Sequence, residues 1–224
     1  MAIFDKEAKI YDEWYKSKLG NFVDEVETRC VFDLFKAKKG MKVLDVGCGT
    51  GNFSIKLAKM GCEVVGIDVS EEMLKVAEAK AREEGLNIKF YKMDAHQMEF
   101  EDNTFDGVLS VTAFEFLKEP EKAIEEIFRV LKPNGQLLIG TINKNSKWGE
   151  MYLSKEFQEN TVFKYANFKT IEDMKSYKKE YLVDIKECLF VPPNAEEEDI
   201  CMVKEMELAQ TGMRGGFICA LWKK

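Results

Sequence analysis

The feature that most constrains the fold is a glycine-rich turn directly after a short apolar run. The segment reads Val43-Leu44-Asp45-Val46-Gly47-Cys48-Gly49-Thr50-Gly51-Asn52, and apolar residues at helical spacing follow it. This order predicts a strand, a tight turn and a helix start, because glycine tolerates a positive φ and lets a ligand approach bare backbone. The first N–H groups of a helix are also free to bind. The stretch therefore predicts a site for a cofactor that contains adenosine.

Composition narrows the class of protein. The chain has 224 residues, of which 46% are hydrophobic and 33% are charged, as in one soluble globular domain. Its net charge is −7 and it has no basic block, which disfavours nucleic acid as a partner, because binding phosphates takes clusters of Lys and Arg. No leader peptide and no long apolar run is visible. We therefore expect a cytoplasmic protein with no membrane partner.

Cysteine and histidine usage limits the chemistry further. The six cysteines are dispersed without a CxxC pair, so we expect free thiols that act as small apolar residues. The only histidine is His96, which excludes any mechanism or metal site that needs two imidazoles. We therefore expect no metal centre.

Strand and helix patterns alternate after the glycine turn. We predict strands at 41–46, 63–67, 88–93, 105–111 and 135–142. Helices are predicted between them at 52–60, 70–85 and 120–131. Such βαβ units build a parallel sheet whose ligands bind at the carboxyl ends of the strands. Functional residues are therefore expected directly after each strand.

Less regular segments flank this core. The pattern before it predicts two helices, at about 5–18 and 21–36, and the first carries Tyr11, Trp14 and Tyr15. Two explanations fit these aromatic residues. They pack in the core, or they form a flap that covers the glycine turn. After the core, residues 144–168 are polar and aromatic without a clear period.

The C-terminal part shows a further helix and two strands. A capping box at Thr170 predicts a helix to about Tyr181. Strands are predicted at 183–191 and 215–222. The acidic run between them at 194–199 is typical of solvated surface, and a helical pattern covers 200–210.

Three acids end consecutive predicted strands, namely Asp45, Asp68 and Asp94. A carboxylate in the position of Asp68 can accept hydrogen bonds from both hydroxyls of a ribose. Asp94, one strand further along, can accept from an exocyclic amine such as that of adenine. Each acid alone is typical of a turn or a helix cap, but three beside a glycine turn indicate a binding site.

Two details distinguish among adenosine cofactors. A dinucleotide fingerprint counted from Gly47 requires glycine at the position of Asn52, so NAD and FAD are disfavoured. Asp45 precedes the first glycine by two residues, where a diphosphate gains nothing from a carboxylate. A negative charge there favours a ligand with cationic groups.

With these motifs the sequence resembles the class I S-adenosylmethionine-dependent methyltransferases, of the type found in ubiquinone and menaquinone biosynthesis. The matching motifs lie at 43–51, 65–70, 93–95, 105–110 and 129–135 and cover roughly residues 40–142. Asn134 stands where that family more often has glycine. The resemblance implies an α/β, Rossmann-like three-layer sandwich. Its seven-stranded sheet is mostly parallel, with an antiparallel C-terminal strand and a helical N-terminal lid.

The resemblance also implies the cofactor, S-adenosylmethionine, with S-adenosylhomocysteine as its product. The implied cofactor-binding residues are Tyr11, Tyr15, Asp45, Gly47, Cys48, Gly49, Gly51, Asp68, Val69, Met73, Asp94, Ala95 and Ser110. In the family the glycines line the methionine and ribose, and the acid after the second strand holds the ribose hydroxyls. The residues matching Val69, Met73, Asp94 and Ala95 surround adenine, and Ser110 matches a position beside the sulfonium. Tyr11 and Tyr15 match an aromatic lid.

A general base is optional for such a transfer, and the sequence offers two candidates. Glu115 follows the fourth strand and His96 follows Asp94, so each can face an acceptor. The sequence favours an ordinary packing or surface role for each of them, because geometry has to precede any claim of base catalysis.

We therefore predict a single methyltransferase domain over residues 1–224. It comprises an N-terminal lid (1–38), a cofactor-binding core (40–142), an insertion with a helix (143–183) and a C-terminal strand pair (184–224). We expect in-line methyl transfer to a small-molecule acceptor under residues 1–20 and 144–168. The alternatives are a methyltransferase of protein or RNA, a protein that binds the cofactor without turnover, and a nicotinamide-dependent oxidoreductase. Both a monomer and a homodimer fit the sequence.

Overall fold

The computed structural model describes residues 2–224, and Met1 lies outside the described residues. Seven strands form one sheet: β1 Lys42–Val46, β2 Glu63–Asp68, β3 Lys89–Lys92, β4 Phe105–Val111, β5 Leu131–Ile142, β6 Leu182–Cys188 and β7 Phe217–Lys223. Their order is β3-β2-β1-β4-β5-β7-β6. Strand β7 is antiparallel to both neighbours, and β1 to β5 pair in parallel. The predicted mostly parallel sheet with an antiparallel C-terminal strand is confirmed.

Helices cover both faces of the sheet. They are α1 Lys18–Leu34, α2 Asn52–Lys59, α3 Glu71–Glu83, α4 Pro120–Val130, α5 Lys147–Leu153, α6 Lys155–Asn160, α7 Ile171–Ser176 and α8 Met202–Leu208. Short 3₁₀ helices lie at Tyr11–Lys16, Phe114–Phe116, Val162–Tyr165, Lys179–Tyr181 and Glu197–Asp199. Neighbouring residues of a strand point to opposite faces. Thus Val43 packs in a core with α1 and α2, and Leu44 packs in a second core with α4 and α7.

The order of the strands places a crevice beside β1. The chain moves outward from β1 to β3 and then returns to β4 on the other side of β1. The connections therefore leave β1 and β4 in opposite directions, and in open α/β sheets ligands bind at such a switch point. The glycine turn that follows β1 lies at this crevice.

The prediction of a regular helix at 5–18 is wrong. The segment forms turns and the 3₁₀ helix Tyr11–Lys16, and α1 begins at Lys18 rather than at 21. Ser17 sets this start, because its Oγ accepts a hydrogen bond from Gly20 N at 3.0 Å and donates one to Trp14 O at 2.8 Å. Gly20 is required there, since a Cβ would lie 2.1 Å from Trp14 O.

Other boundaries also differ from the predictions. The irregular 144–168 segment contains α5, α6 and a 3₁₀ helix. The predicted capping box at Thr170 is confirmed, but α7 ends at Ser176, and Lys178 has a φ of 41° that no regular helix accommodates. Strand β5 begins at Leu131 instead of 135, and Asn134 with a φ of 65° lies in an irregular stretch of its pairing with β4.

The cysteines are free thiols, and five of the six are buried, as expected of small apolar residues. Within residues 2–224, every helix is too short or too polar to span a bilayer. In the same part of the chain no group of three or more His, Cys, Asp or Glu residues is arranged to hold a metal ion.

Replacement of Gly20 by alanine tests how the N-terminal segment joins α1. The added Cβ collides with Trp14 O, so Gly20→Ala is expected to lower the free energy of unfolding by about 1–3 kcal/mol. Urea denaturation followed by circular dichroism measures this change. Asn21→Ala, at the exposed position that follows Gly20 in α1, is the control. Equal stability of the two variants would show that the junction adjusts without strain.

Candidate active site

A cavity of about 760 Å³ opens at the carboxyl ends of β1 to β4. Its wall includes the turns after these strands at 45–50, 67–70, 92–97 and 110–113, together with 116–119. Residues of the N-terminal segment, of helices α1 to α4 and Glu99 complete it. Small-molecule sites in proteins enclose roughly 300–1,000 Å³. The cavity is therefore of the size that holds a small ligand.

The glycine turn presents bare backbone to this cavity. Gly47 and Gly49 line it with φ values of 69° and 52°. A Cβ on Gly47 would lie 2.4 Å from the Cβ of Ala113, so no other residue fits there without movement. The N–H groups of Gly47 and Cys48 both donate to Ile67 O, at 2.8 and 3.0 Å, which ties the turn to the end of β2.

Gly51 does not line the cavity, although the resemblance implied a contact with the cofactor. It caps α2 with a φ of 80°, and a Cβ on it would lie 3.0 Å from the Cβ of Ala77 in α3. The positive φ and the close packing against α3 thus explain why glycine occupies position 51.

Two carboxylates stand behind the turn. Asp68 accepts hydrogen bonds from Gly49 N at 2.9 Å and Ser70 N at 2.8 Å, and burial raises its pKa. Asp45 is 2% exposed and accepts from Ser54 Oγ at 2.6 Å. Burial raises the pKa of Asp45 to about 7, and the charge of Asp68 adds to that rise. Both side chains line the cavity, which is therefore negative at this end.

Asp94 and His96 form one hydrogen-bonded unit at the end of β3. His96 Nδ1 lies 2.5 Å from Asp94 Oδ1, and Glu119 N donates to His96 Nε2 at 3.3 Å. With Nε2 as an acceptor, Nδ1 carries the proton and donates it to Asp94. Both residues line the cavity, but both imidazole nitrogens are occupied. His96 thus orients Asp94 and has no free nitrogen to act as a base.

Glu115, the other predicted base, does not line the cavity. The left-handed Thr112 (φ 50°) and the 3₁₀ helix Phe114–Phe116 turn its side chain inward, where it is 1% exposed. Thr141 Oγ1 donates to its Oε2 at 3.2 Å, while Oε1 has no hydrogen-bond partner among residues 2–224. Burial raises the pKa of Glu115 to about 7. Glu115 therefore lies behind the cavity wall.

The remaining predicted site residues all line the cavity. Met73, Ala95, Cys48 and Ser110 are buried, while Val69 is 53% exposed. Burial raises the pKa of Cys48 well above the ordinary thiol value, so it is present as a thiol. Ser110 Oγ is buried without a hydrogen-bond partner among residues 2–224, and it therefore offers a free donor and acceptor to a ligand.

The N-terminal segment, residues 2–16, covers one side of the cavity and is bound to it by two carboxylates. Phe4, Tyr11 and Tyr15 line the cavity. Ser70 Oγ donates to Asp5 Oδ1 at 2.7 Å. Asp12 accepts from Thr50 Oγ1 at 2.8 Å, from Asn52 Nδ2 at 3.3 Å and from Lys80 Nζ at 2.6 Å.

The 144–168 segment lies one layer behind this wall, since none of its residues lines the cavity. Its Phe163 ring lies 5.6 Å from Phe116, whose ring lies 4.8 Å from Phe4. Phe116 and Phe4 both line the cavity. The expectation that this segment roofs the pocket directly is therefore wrong, and it supports the roof through aromatic contacts.

Several cavity residues carry no recognisable motif. Phe4, Thr112 and Phe116 belong to segments without a diagnostic pattern. Glu27 is different, because it interrupts the apolar face of α1 between Val23 and Cys30, and a carboxylate on a buried helical face is a signal readable from the sequence.

Comparison with known proteins identifies the class. Residues 37–204 match the model of a family described as a methyltransferase domain. The chain therefore belongs to this methyltransferase family, and its cofactor is S-adenosylmethionine.

Individual relatives agree with this assignment. The uncharacterized protein MJ1123 of Methanocaldococcus jannaschii is 33% identical over 221 residues, with 97% of each chain covered. The ubiquinone biosynthesis O-methyltransferase of Pseudomonas fluorescens is 39% identical over 109 residues, which span about half of each chain (48% and 47%). A possible histamine N-methyltransferase of Thermotoga maritima has a similar fold, with a TM-score of 0.73 at 24% identity, covering 99% of this chain and 98% of that one.

The cavity fits this cofactor in its own chemistry. Bare backbone at Gly47 and Gly49 admits close approach, and the oriented carboxylate of Asp68 can accept from hydroxyl groups. Asp94 Oδ2 has no hydrogen-bond partner among residues 2–224, so it can accept from an amine. The free Ser110 Oγ and the negative end near Asp45 complete a donor and acceptor set suited to a cationic nucleoside.

Asp12→Ala tests whether Asp12 holds the N-terminal segment closed. Loss of its three hydrogen bonds, one of them from an ammonium, is expected to speed amide exchange in residues 2–16 by about tenfold, since such bonds contribute roughly 1.5–3 kcal/mol. Hydrogen exchange with mass spectrometry measures this. Glu13→Ala is the control, because Glu13 pairs only with Lys16 on the exposed face of the same 3₁₀ helix. Equal exchange in both variants would contradict the assignment.

Proposed function

We propose that this methyltransferase modifies a small molecule, which binds in the same cavity as the cofactor. The observation that carries the proposal is the cover formed by residues 2–16, bound to the cofactor side by Asp5 and Asp12. A macromolecular acceptor needs an open approach to the methyl donor. Here Phe4, Tyr11 and Tyr15 occupy that approach, which leaves a space of small-molecule size.

Charge supports the same class of acceptor. Acidic residues outnumber lysines in the wall, seven to three, and the chain as a whole has a net charge of −7. A nucleic acid would gain little phosphate neutralisation from such a surface. Two similar proteins, a ubiquinone biosynthesis O-methyltransferase and a possible histamine N-methyltransferase, carry names that refer to small molecules.

We propose roles for the cavity residues on the side of β2 and β3. Asp68 accepts hydrogen bonds from the ribose hydroxyls, and Asp94 with the Ala95 backbone contacts the adenine edge. Val69 and Met73 pack near the adenine ring. The support for this set is that all of these residues line the cavity, Met73 from the first turn of α3 and the others directly after the neighbouring strands β2 and β3 or at their ends.

We assign the other end of the cavity to the methionine part of the cofactor. Gly47, Cys48 and Gly49 present their backbone, while Asp45 supplies negative charge near cationic groups. Ser110 and the rings of Tyr11 and Tyr15 lie toward the acceptor. In this assignment Gly51 shapes the start of α2 and does not contact the cofactor.

When bound, S-adenosylmethionine supplies a methyl group on a positively charged sulfur. Transfer is an in-line displacement, so the protein contributes chiefly by aligning the reactants. The N-terminal segment excludes water, and aromatic faces with carboxylates favour positive charge. Neither His96, whose nitrogens are occupied, nor Glu115, which lies outside the cavity, is proposed as a general base.

A labelled-donor assay tests the acceptor class. The protein is incubated with tritiated methyl donor and separate pools of small metabolites, tRNA and protein, and label in each pool is counted. We expect label in small metabolites only. Label in tRNA or protein would refute the small-molecule acceptor, and tight cofactor binding with no transfer to any pool would favour a binding protein without turnover.

Asp68→Ala tests the cofactor contact. Removal of an acceptor for two hydroxyls is expected to raise the dissociation constants of S-adenosylmethionine and S-adenosylhomocysteine at least about tenfold, measured by calorimetry. Glu63→Ala is the matched control, because Glu63 is exposed at the opposite end of the same strand β2. Since Asp68 also holds Gly49 and Ser70, the melting temperature of each variant is recorded. Unchanged affinity in a folded Asp68→Ala protein would remove Asp68 from this role.

A further inference from the structure

Glu27 is a buried carboxyl group with no partner. It lies on the core-facing side of α1, is 8% exposed, and lines the cavity. No hydrogen bond or ion pair to its side chain forms within residues 2–224. Burying a carboxylate without a partner is costly, and a protein usually compensates with a counter-charge or by neutralising the group. Among the described residues no cation pairs with this carboxyl group and no donor is hydrogen-bonded to it, so the group is open to a ligand.

The groups around Glu27 do not supply the missing charge. Burial has the largest effect on the pKa of Glu27 and raises it. The charges of Asp24, on α1 itself, and of Glu115, in the 3₁₀ helix after β4, raise that pKa further. Lys56 of α2 lowers that pKa, but its ammonium is bound by Asp24 Oδ1 and by Thr28 Oγ1. The buried thiol of Cys30 adds no cation.

Two phenol rings of the N-terminal segment, Tyr11 and Tyr15, line the same cavity as Glu27. Burial raises the pKa of both phenols, and the charge of Glu27 raises each further. Their hydroxyls stay protonated, and the faces of such rings attract cations. The surroundings of Glu27 therefore suit a positively charged group with apolar neighbours.

The position of Glu27 separates it from the nucleoside. Asp68 and Asp94 follow β2 and β3, whereas α1 packs against β5, β6 and β7 on the other side of the switch point. Both regions line one cavity, with the glycine turn and Ser110 between them. Glu27 thus lies at the end of the cavity that the acceptor occupies.

We propose that the acceptor is an amine and that Glu27 binds its nitrogen. This inference rests on the proposed small-molecule function and names the class of that small molecule. The carboxylate of Glu27 binds the ammonium form of the acceptor, beside the rings of Tyr11 and Tyr15 that line the same cavity.

The same contact prepares the nitrogen for transfer. The Glu27 carboxylate takes one proton from the ammonium, which leaves a neutral amine with a free electron pair. That pair forms the N–CH₃ bond as the bond between the methyl carbon and the sulfonium sulfur breaks, and the electrons of the broken bond stay on sulfur. The products are a methylated ammonium and S-adenosylhomocysteine, and Glu27 gives its proton to solvent. The raised pKa of Glu27 makes its carboxylate a stronger base for this step.

The first arm of the test identifies the charge of the product. Wild-type protein is incubated with tritiated donor and a metabolite extract, and each labelled product is resolved from the donor by capillary electrophoresis at pH 3. We expect the labelled product to migrate as a cation. A labelled product without positive charge at pH 3 would overturn the amine assignment. Absence of label in any small molecule would instead refute the proposed function.

The second arm compares two variants of α1. Glu27→Gln is expected to lower kcat/KM for the labelled acceptor at least tenfold, while the dissociation constant of S-adenosylhomocysteine stays within twofold. Glu25→Gln, at a half-exposed position of the same helix, is the control and leaves both unchanged. Equal kcat/KM of Glu27→Gln and wild type would overturn the role of Glu27.

The third arm needs no activity. Because the folded-state pKa of Glu27 is raised, the stability it contributes is present at acid pH and is lost as pH rises through that pKa. Glu27→Gln is therefore expected to melt higher than wild type at pH 8, by roughly 2–4 °C, and the difference shrinks as pH falls to 4. A Glu27→Gln protein that melts lower than wild type at pH 8 would show that the carboxylate has a structural partner, and the proposal would fail.

Discussion

The site depends on how the turn after β1 is bound to the end of β2. The N–H groups of Gly47 and Cys48 share the carbonyl of Ile67, and that of Gly49 donates to the side chain of Asp68. Backbone groups that a loop would otherwise leave unsatisfied are thus paired by the neighbouring strand. The hydrogen bond to Asp68 also fixes the carboxylate that we assign to the ribose. One contact therefore shapes the turn and orients a side chain that binds the cofactor.

Where the sequence carries periodicity and strand-end acids, it predicts the structure well. The parallel pairing of β1 to β5 and the cavity positions of Asp45, Asp68 and Asp94 follow from βαβ alternation and from carboxyl ends that meet at one edge. The antiparallel β7 follows only from the family resemblance. Prediction fails where tertiary contacts override local preference. Asp12 is drawn to Lys80 across the chain, and Glu115 is turned away from the cavity by a left-handed residue, Thr112. Neither effect leaves a local pattern.

The two ends of the cavity differ in how their residues are satisfied. On the side of β2 and β3 the polar groups are already oriented by the protein, as His96 orients Asp94 and backbone amides orient Asp68. On the side of α1 and β4, Glu27 and the hydroxyl of Ser110 have no partners within residues 2–224. The side with preorganised polar groups suits the cofactor, which is the same in every reaction cycle. The side with unpaired polar groups suits the acceptor, whose recognition defines specificity.

The long-range contacts of the N-terminal segment have a consequence for how the molecule assembles. Asp5 meets Ser70 and Asp12 meets Lys80 across 65 and 68 residues of sequence, so the segment docks only after β2 and α3 are in place. Few apolar side chains hold it, Ala8 being its one buried hydrophobic residue among those described. Release of residues 2–16 from the cavity would therefore break a few polar contacts and leave the strands of the sheet paired as they are.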